Sequence, residues 1–573
     1  MQHDLSGPSR TTELEHHHEL IDKIRHPAIW LALALLALVG FSEYLALHRI
    51  FQVDEIENVF TARLLATKQT GDYLAGAPLM LLGPMMWLAG SIDRSALLLR
   101  AERLLFFGLF WVNLCLIVHC AGLRLRSARG LMALLAVGTL APLWDYGFEI
   151  RHDNVLLTAI LVAWNAARPL TSDHRRRLLV VGMVVVIAQF LALKAFAYLI
   201  PIALFALVAA QWEDKRPAGR SLLALLGGGV LGLVSAIALH CLAGTWSLYA
   251  TSLRGLEHNA PRVIRLTPVP TLWRVLVQSP LFVVVLGCAT FQALRNASLK
   301  TWASRESLLP EAGLFALGLA AILVNPTPYP YNLVLLVPQG AILCLRLFPL
   351  AVTLWHSGRL WKLILVSALV FHTLFWWHFT SRHIFMSNAR QIELMSTAEE
   401  MTDPTEHAVF DGSGLVPTRH PPGRHWLIHG FTIESFRNGA YPSIRLQLAE
   451  GRTPIVIPNY RIFWLSAEDH RFISEHYVAL AGDFLVAGAV LPHGSAAWEC
   501  LVPGRYYLEV DAQQGGVFID GRPSHPGVLV LNRGRHQFQT NAEKGSIVWL
   551  GPELVAPPLL GPGEARNVFV NWY

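Results

Sequence analysis

The chain has 573 residues, of which 53% are hydrophobic and only 15% charged. Soluble globular domains carry about 25% charged residues, so the composition excludes an ordinary soluble protein and indicates a polytopic membrane protein. The formal net charge of +6 sits in short loops between apolar segments, the positive-inside pattern, and no nucleic-acid partner is expected.

In chain order, residues 1–27 read as a polar, disordered cytoplasmic tail carrying His16-His17-His18, with metal binding by the histidines as the alternative. The run from Ala28 to Leu47 is long enough to cross a bilayer, which takes roughly 20 residues, and no small-residue cleavage site follows it. Eleven spans are predicted, near 28–48, 99–121, 130–144, 154–168, 178–192, 196–210, 221–243, 275–294, 309–324, 331–347 and 360–379. Placing the basic loops at 124–129, 168–177, 215–220, 295–305 and 346–362 in the cytoplasm puts the N-terminus inside and the C-terminus outside. The sequence then has two outer loops of note, 49–98 and 244–274. In the first, residues 54–68 read as an interfacial amphipathic helix. Ile56, Val59, Phe60, Leu64 and Leu65 share its apolar face, with Glu57, Arg63 and Lys68 opposite. Residues 74–90 read as a helix lying on or dipping into the outer face.

From Thr380 onward the composition becomes that of a soluble domain, so residues 381–573 are expected to form a mixed α/β, β-rich periplasmic domain. Ser387–Met401 reads as a helix. Strands are expected at 407–410, 454–457, 506–510, 516–519, 528–531 and 546–550, with turn signals such as Asp520-Gly521 between them. Of six cysteines only Cys500 lies in this part, and no CxxC pair points to zinc or redox chemistry.

Ionisable residues at a membrane boundary are costly and tend to mark function. Two acidic clusters stand out: Asp54-Glu55-Ile56-Glu57 after span one, and Glu149-Ile150-Arg151-His152-Asp153 before span four. Both fall outside. Their carboxylates can hold a divalent cation (Mg or Mn, with Asp54 and Asp153 as ligands) or act as a general base, and hydrated helix-end charges are the bland alternative. Lys194 interrupts an apolar stretch at the outer face, where a cation can hold a phosphate or snorkel. The loop Asn325-Pro326-Thr327-Pro328-Tyr329-Pro330-Tyr331-Asn332 offers two tyrosines and an asparagine to a sugar or lipid head group. Arg262 and Arg265, with Tyr249, Arg254, His258 and Asn259, make an outer loop unusually basic and suited to an anion.

The Asp54-Glu55 pair after span one, the outer Arg151-His152-Asp153, Lys194 at the start of span six and the Tyr329-Pro330-Tyr331-Asn332 loop together resemble the C-type (GT-C) membrane glycosyltransferases. Within them the chain is most similar to the branch holding protein O-mannosyltransferases and lipid A aminoarabinose transferases. The resemblance spans about residues 28–380, the expected GT-C-like catalytic domain. It implies an inverting transfer of a sugar from a polyprenyl (undecaprenyl) phosphate to a lipid, glycan or protein acceptor at the periplasmic face of a bacterial inner membrane. It also implies Asp54 and Asp153 as catalytic residues, and Lys194, Arg151, Arg262 and Arg265 near the donor phosphate. Glu55, His152, Tyr329, Tyr331 and Asn332 would line the substrate. Aminoarabinose transferases carry Lys-Pro-Pro where this chain has Ala75-Gly76-Ala77-Pro78-Leu79, so neither that sugar nor lipid A is implied. The main alternative is a transporter or flippase of a lipid-linked or anionic solute, which would place its charges near the midplane of repeated halves. No internal repeat accompanies the one-sided charges here.

Overall fold

The computed structural model describes residues 10–67, 82–168, 173–192, 194–214, 218–247, 249, 267–297, 307–325, 328–430, 432–510, 516–543 and 545–569. Its first two-thirds is a helical bundle. In order, the helices are α1 (Arg10–His48), α2 (Val53–Ala66), α3 (Leu82–Ser91), α4 (Ser95–Cys120), α5 (Ala128–Gly138), α6 (Ala141–Tyr146), α7 (His152–Ala167), α8 (His174–Gln189), α9 (Ala195–Asp214) and α10 (Ala218–Leu242). They continue with α11 (Val269–Gln278), α12 (Pro280–Arg295), α13 (Leu309–Val324), α14 (Leu333–Leu345), α15 (Phe348–Ser357) and α16 (Arg359–Ser381).

Among the described residues four helices are long and apolar enough to cross a membrane, or up to six if each bent pair counts as one span. The bundle is apolar on its outer surface as well as in its core, with some polar side chains buried inside. Helix α16 exposes Leu363, Leu369 and Leu374 and buries His372, whose ring bonds Thr139 Oγ1 at 3.0 Å. An apolar outer surface is expected where lipid is the solvent.

Three expectations need correction. Residues 10–27 are not an unstructured tail, because α1 runs unbroken through 39 residues. The predicted span 130–144 is two short helices, α5 and α6, parted at Thr139-Leu140. The predicted span 275–294 is bent by 102° between α11 and α12, where Pro280 has no N–H to continue the helix. The described part of the 74–90 segment is α3, and residues 68–81 lie outside the described residues.

The remainder is α/β and then all β. Helix α17 (Ala389–Met401) leads to β1 (Val409–Phe410), followed by α18 (Ile433–Arg437), α19 (Ile444–Glu450), β2 (Ile455–Val456) and α20 (Ala467–His476). Nine strands follow: β3 (Tyr477–Ala481), β4 (Phe484–Leu491), β5 (Gly494–Cys500), β6 (Gly504–Val510), β7 (Val517–Ile519), β8 (Arg522–Ser524), β9 (Gly527–Leu531), β10 (Gly534–Thr540) and β11 (Gly545–Trp549). One sheet runs β1-β2-β4-β11-β6-β9 with β3 also on β4, and a second runs β5-β10-β7-β8. Only the β1–β2 pair is parallel among those described. The loops at its carboxyl ends, Asp411–Leu415 and Asn459–Arg461, are locked together by Asn459 Nδ2 donating to the Asp411 carbonyl at 2.7 Å.

These two loops rest on α2, which corrects its reading as an amphipathic interfacial helix. Glu57 is as buried as Ile56 and Val59, and ten of the fourteen residues of α2 are buried. Phe60 packs on Trp426 with ring centroids 4.4 Å apart. Gly414 has φ +85° and lies so close to the Phe60 ring that a Cβ would collide with it. Gly414→Ala is therefore expected to lower stability by roughly 1–3 kcal/mol, seen as a lower unfolding temperature in detergent, whereas Gly439→Ala, at a positive φ in open space, should cost less.

Candidate active site

The chain places the starts of four helices at one end of the bundle. Asp54 is the second residue of α2, and Arg151 immediately precedes α7, which opens with His152 and Asp153. Lys194 precedes α9, and Tyr331-Asn332 form the 3-10 turn that leads into α14. Each helix N-terminus carries a partial positive charge and unpaired N–H groups, so carboxylates are stabilised there and an anion is welcome.

The side chains meet as that placement suggests. Arg151 bridges both carboxylates, with Nη1 on Asp54 Oδ2 and Nε 3.4 Å from Asp153 Oδ2. Lys194 Nζ donates to Asp153 Oδ1 and to Asn332 Oδ1, the latter at 3.1 Å. The Arg151 guanidinium lies 3.8 Å over the Tyr331 ring, and Lys194 Nζ lies 5.3 Å from the same ring. Tyr329 stacks on Tyr331 at 5.5 Å. His152 Nε2 is 3.8 Å from Asp153 Oδ1. The Asp153 side chain is almost fully buried, whereas that of Asp54 is 30% exposed, which makes Asp54 the carboxylate that an incoming molecule reaches first.

Of the eleven residues singled out in the sequence, Asp54, Arg151, His152, Asp153, Lys194, Tyr329, Tyr331 and Asn332 form this cluster. Arg262 and Arg265 lie outside the described residues. Glu55 is a correction: it does not line the opening. Its carboxylate is wholly buried and accepts from Arg103 Nε and Nη2 at 2.9 and 2.5 Å, from the Gln52 N–H at 2.9 Å and from the Ile150 N–H at 3.2 Å. It pins the start of α2 to the loop before α7. Beside it Arg49 pairs with Glu149 at 2.9 Å and donates to the Trp144 and Asp145 carbonyls.

Sequence reasoning missed the contribution of the C-terminal domain. Arg461 Nη2 reaches Glu57 Oε1 at 3.1 Å, and the charges of Arg461 and His429 are both felt at Asp54. The available signal was the aromatic and basic run Asn459-Tyr460-Arg461-Ile462-Phe463-Trp464 after a buried strand.

Electrostatics separates the two acidic residues of α2. Burial pushes the Asp54 carboxyl up, but Arg151, through charge and hydrogen bond, together with Arg461 and His429, outweighs it and holds the group below its usual range. Glu57 goes the other way: burial dominates over Arg461, with Asp54 adding repulsion, and its pKa is pushed up to about 8. An acid whose folded-state pKa is raised binds more protons folded than unfolded, so its contribution to stability falls as pH rises from about 4.5 to about 8. Glu57→Gln is expected to flatten the dependence of unfolding temperature on pH across that window. An unchanged slope in the variant would refute the assignment.

The arrangement does not suit a divalent cation held by protein alone. Arg151 stands between Asp54 and Asp153, and among the described residues no three His, Cys, Asp or Glu side chains come together as a metal site.

No family model and no curated protein matches the chain by sequence. Its structure is similar to the crystal structure of ArnT from Cupriavidus metallidurans bound to undecaprenyl phosphate. The TM-score is 0.54 with 13% sequence identity, covering 80% of this chain and 97% of that one. The fold is GT-C-like. A membrane GT-C fold with a C-terminal β-rich region agrees with the apolar outer surface of the bundle. At 13% identity the fold is shared while most side chains differ.

Proposed function

We propose that the protein is an inverting glycosyltransferase. It moves a sugar from a polyprenyl phosphate, such as undecaprenyl phosphate, to a lipid, glycan or protein acceptor at the periplasmic face of a bacterial inner membrane. The C-terminal domain is periplasmic in this reading and the N-terminus cytoplasmic. The observation that carries it is the convergence of Asp54, Arg151, Asp153 and Lys194 on helix N-termini in a GT-C-like fold.

In this reaction the bond from the sugar's anomeric carbon to the phosphate oxygen breaks, its electron pair leaving on the phosphate. The acceptor's oxygen or nitrogen bonds to the opposite face of that carbon and gives up a proton. Lys194 has three N–H donors, of which Asp153 and Asn332 take two, so it can turn one toward a phosphate. Arg151 supplies further guanidinium donors, and Arg262 and Arg265 are assigned to the same group. Such preorganised cations stabilise the leaving charge without having to reorganise during the reaction. Asp153 holds Arg151 and Lys194 in place. Asp54, ionised and reachable, orients the acceptor and takes its proton as the new bond forms; a carboxylate held below its normal pKa is a weak base, which suits proton transfer late in a loose, oxocarbenium-like transition state. Tyr329, Tyr331 and His152 border the sugar. No step is routed through Mg or Mn, because the two carboxylates already share a guanidinium.

The test is purified protein in lipid given polyprenyl phosphate labelled in its sugar. Release of free polyprenyl phosphate with label moving to an acceptor or to water supports the reading. Movement of the intact molecule across the bilayer with no bond broken would replace it with a flippase.

A further inference from the structure

A second charged cavity lies at the far end of the bundle. Helix α7 carries Asp153 on its first turn and Ala166 on its last, and its sixteen residues span about 24 Å. Around that last turn is a cavity of about 820 Å³ whose described lining includes His119, Arg124, Arg126, Asn165, Arg168 and Arg177 and no carboxylate. It draws on the end of α4, the loop before α5, the end of α7 and the start of α8.

Two of its cations are already engaged. Arg177 spends Nε and Nη2 on the Ala166 and Ala167 carbonyls at 2.8 and 2.9 Å, closing the end of α7. Arg168 pairs with the buried Glu311 at 2.8 Å. Arg124 and Arg126 have no carboxylate within ion-pair reach among the described residues. Clustered like charges repel unless a counter-charge joins them. A ligand with an anionic phosphodiester supplies that counter-charge. Leu123 and Leu125 give the cavity an apolar wall for hydrocarbon. A second basic cavity, of about 520 Å³ and lined by His174, Arg175 and Arg220 over Leu178 and Leu223, opens at the same first turn of α8.

We infer that this end of the bundle binds the head group of an anionic phospholipid, its phosphodiester against Arg124 and Arg126. In the topology read from the basic loops this is the cytoplasmic leaflet, where anionic lipids collect basic intramembrane pockets. The site is separate from the reaction centre and does not depend on the proposed transfer.

Native mass spectrometry of the full-length protein, with equal additions of phosphatidylglycerol or phosphatidylcholine, tests it. Wild type should retain several-fold more phosphatidylglycerol, Arg124→Gln/Arg126→Gln should bind the two lipids alike, and Arg124→Lys/Arg126→Lys should keep the preference. A wild type without preference, or a glutamine double variant that keeps it, overturns the assignment. Inorganic phosphate at millimolar concentration should leave the phosphatidylglycerol adducts in place; their loss would make this a small-phosphate site and overturn the lipid.

Discussion

Asp54→Asn is expected to lower sugar transfer by roughly 10²–10⁴-fold, the range for loss of a general base, with folding preserved. Asparagine keeps the shape and an oxygen for Arg151 to bond, but it loses the charge and cannot take a proton from the acceptor. The side chain is 30% exposed, so the substitution buries no new unsatisfied group. Donor affinity should hold or tighten, since Arg151 loses one of the two anions that compete with the phosphate. The loss should therefore appear in kcat and leave the KM for the donor nearly unchanged. Transfer by Asp54→Asn at a rate close to wild type, measured with labelled donor, would remove Asp54 from the chemistry.

Arg103→Met is expected to destabilise the protein by roughly 3–5 kcal/mol, the usual cost of stripping one partner from a buried ion pair. Both side chains of the Arg103–Glu55 pair are fully buried. Arg103 also donates to the Arg49 and Ile50 carbonyls at 2.5 and 2.9 Å, so its loss strands a carboxylate and two carbonyls together. Replacing both members, Arg103→Met with Glu55→Leu, should recover much of the loss, because the unpaired charge is gone. If the double variant unfolds as readily as the single one in thermal melts, the charge is not the cause.

Much of the site was legible because it interrupts hydrophobic sequence. Arg151, Asp153 and Lys194 are conspicuous between apolar runs, and sidedness alone put them with Asp54. Arg461 and His429 were not legible for the converse reason: in a polar domain a cation is ordinary, and nothing local says that it faces the membrane part. Glu57 was set on a water-facing side, and Glu55 on the substrate, because helical spacing was judged against water, whereas the second neighbour of α2 is protein. Similar physics explains the strands. The β6 and β11 runs are rich in aromatic or β-branched residues and were expected, while β5 (Gly-Ser-Ala-Ala-Trp-Glu-Cys) and β10 (Gly-Arg-His-Gln-Phe-Gln-Thr) have too few to read as strands. They are held by pairing with each other along seven residues. The 102° bend could be placed at Ser279-Pro280 from proline chemistry, but its size depends on what packs around it.

The contact between Glu57 and Arg461 joins residues 404 positions apart. At ribosomal speeds of about 5–20 residues per second, helix α2 waits roughly 20–80 s after its own synthesis before the loop that covers it exists. During that interval the charged cluster is half built, with the carboxylate of Glu57 lacking Arg461. The covering of this end of the bundle is thus a late step of biosynthesis, and a chain released before that loop is made would leave a membrane bundle whose charged end lacks Arg461.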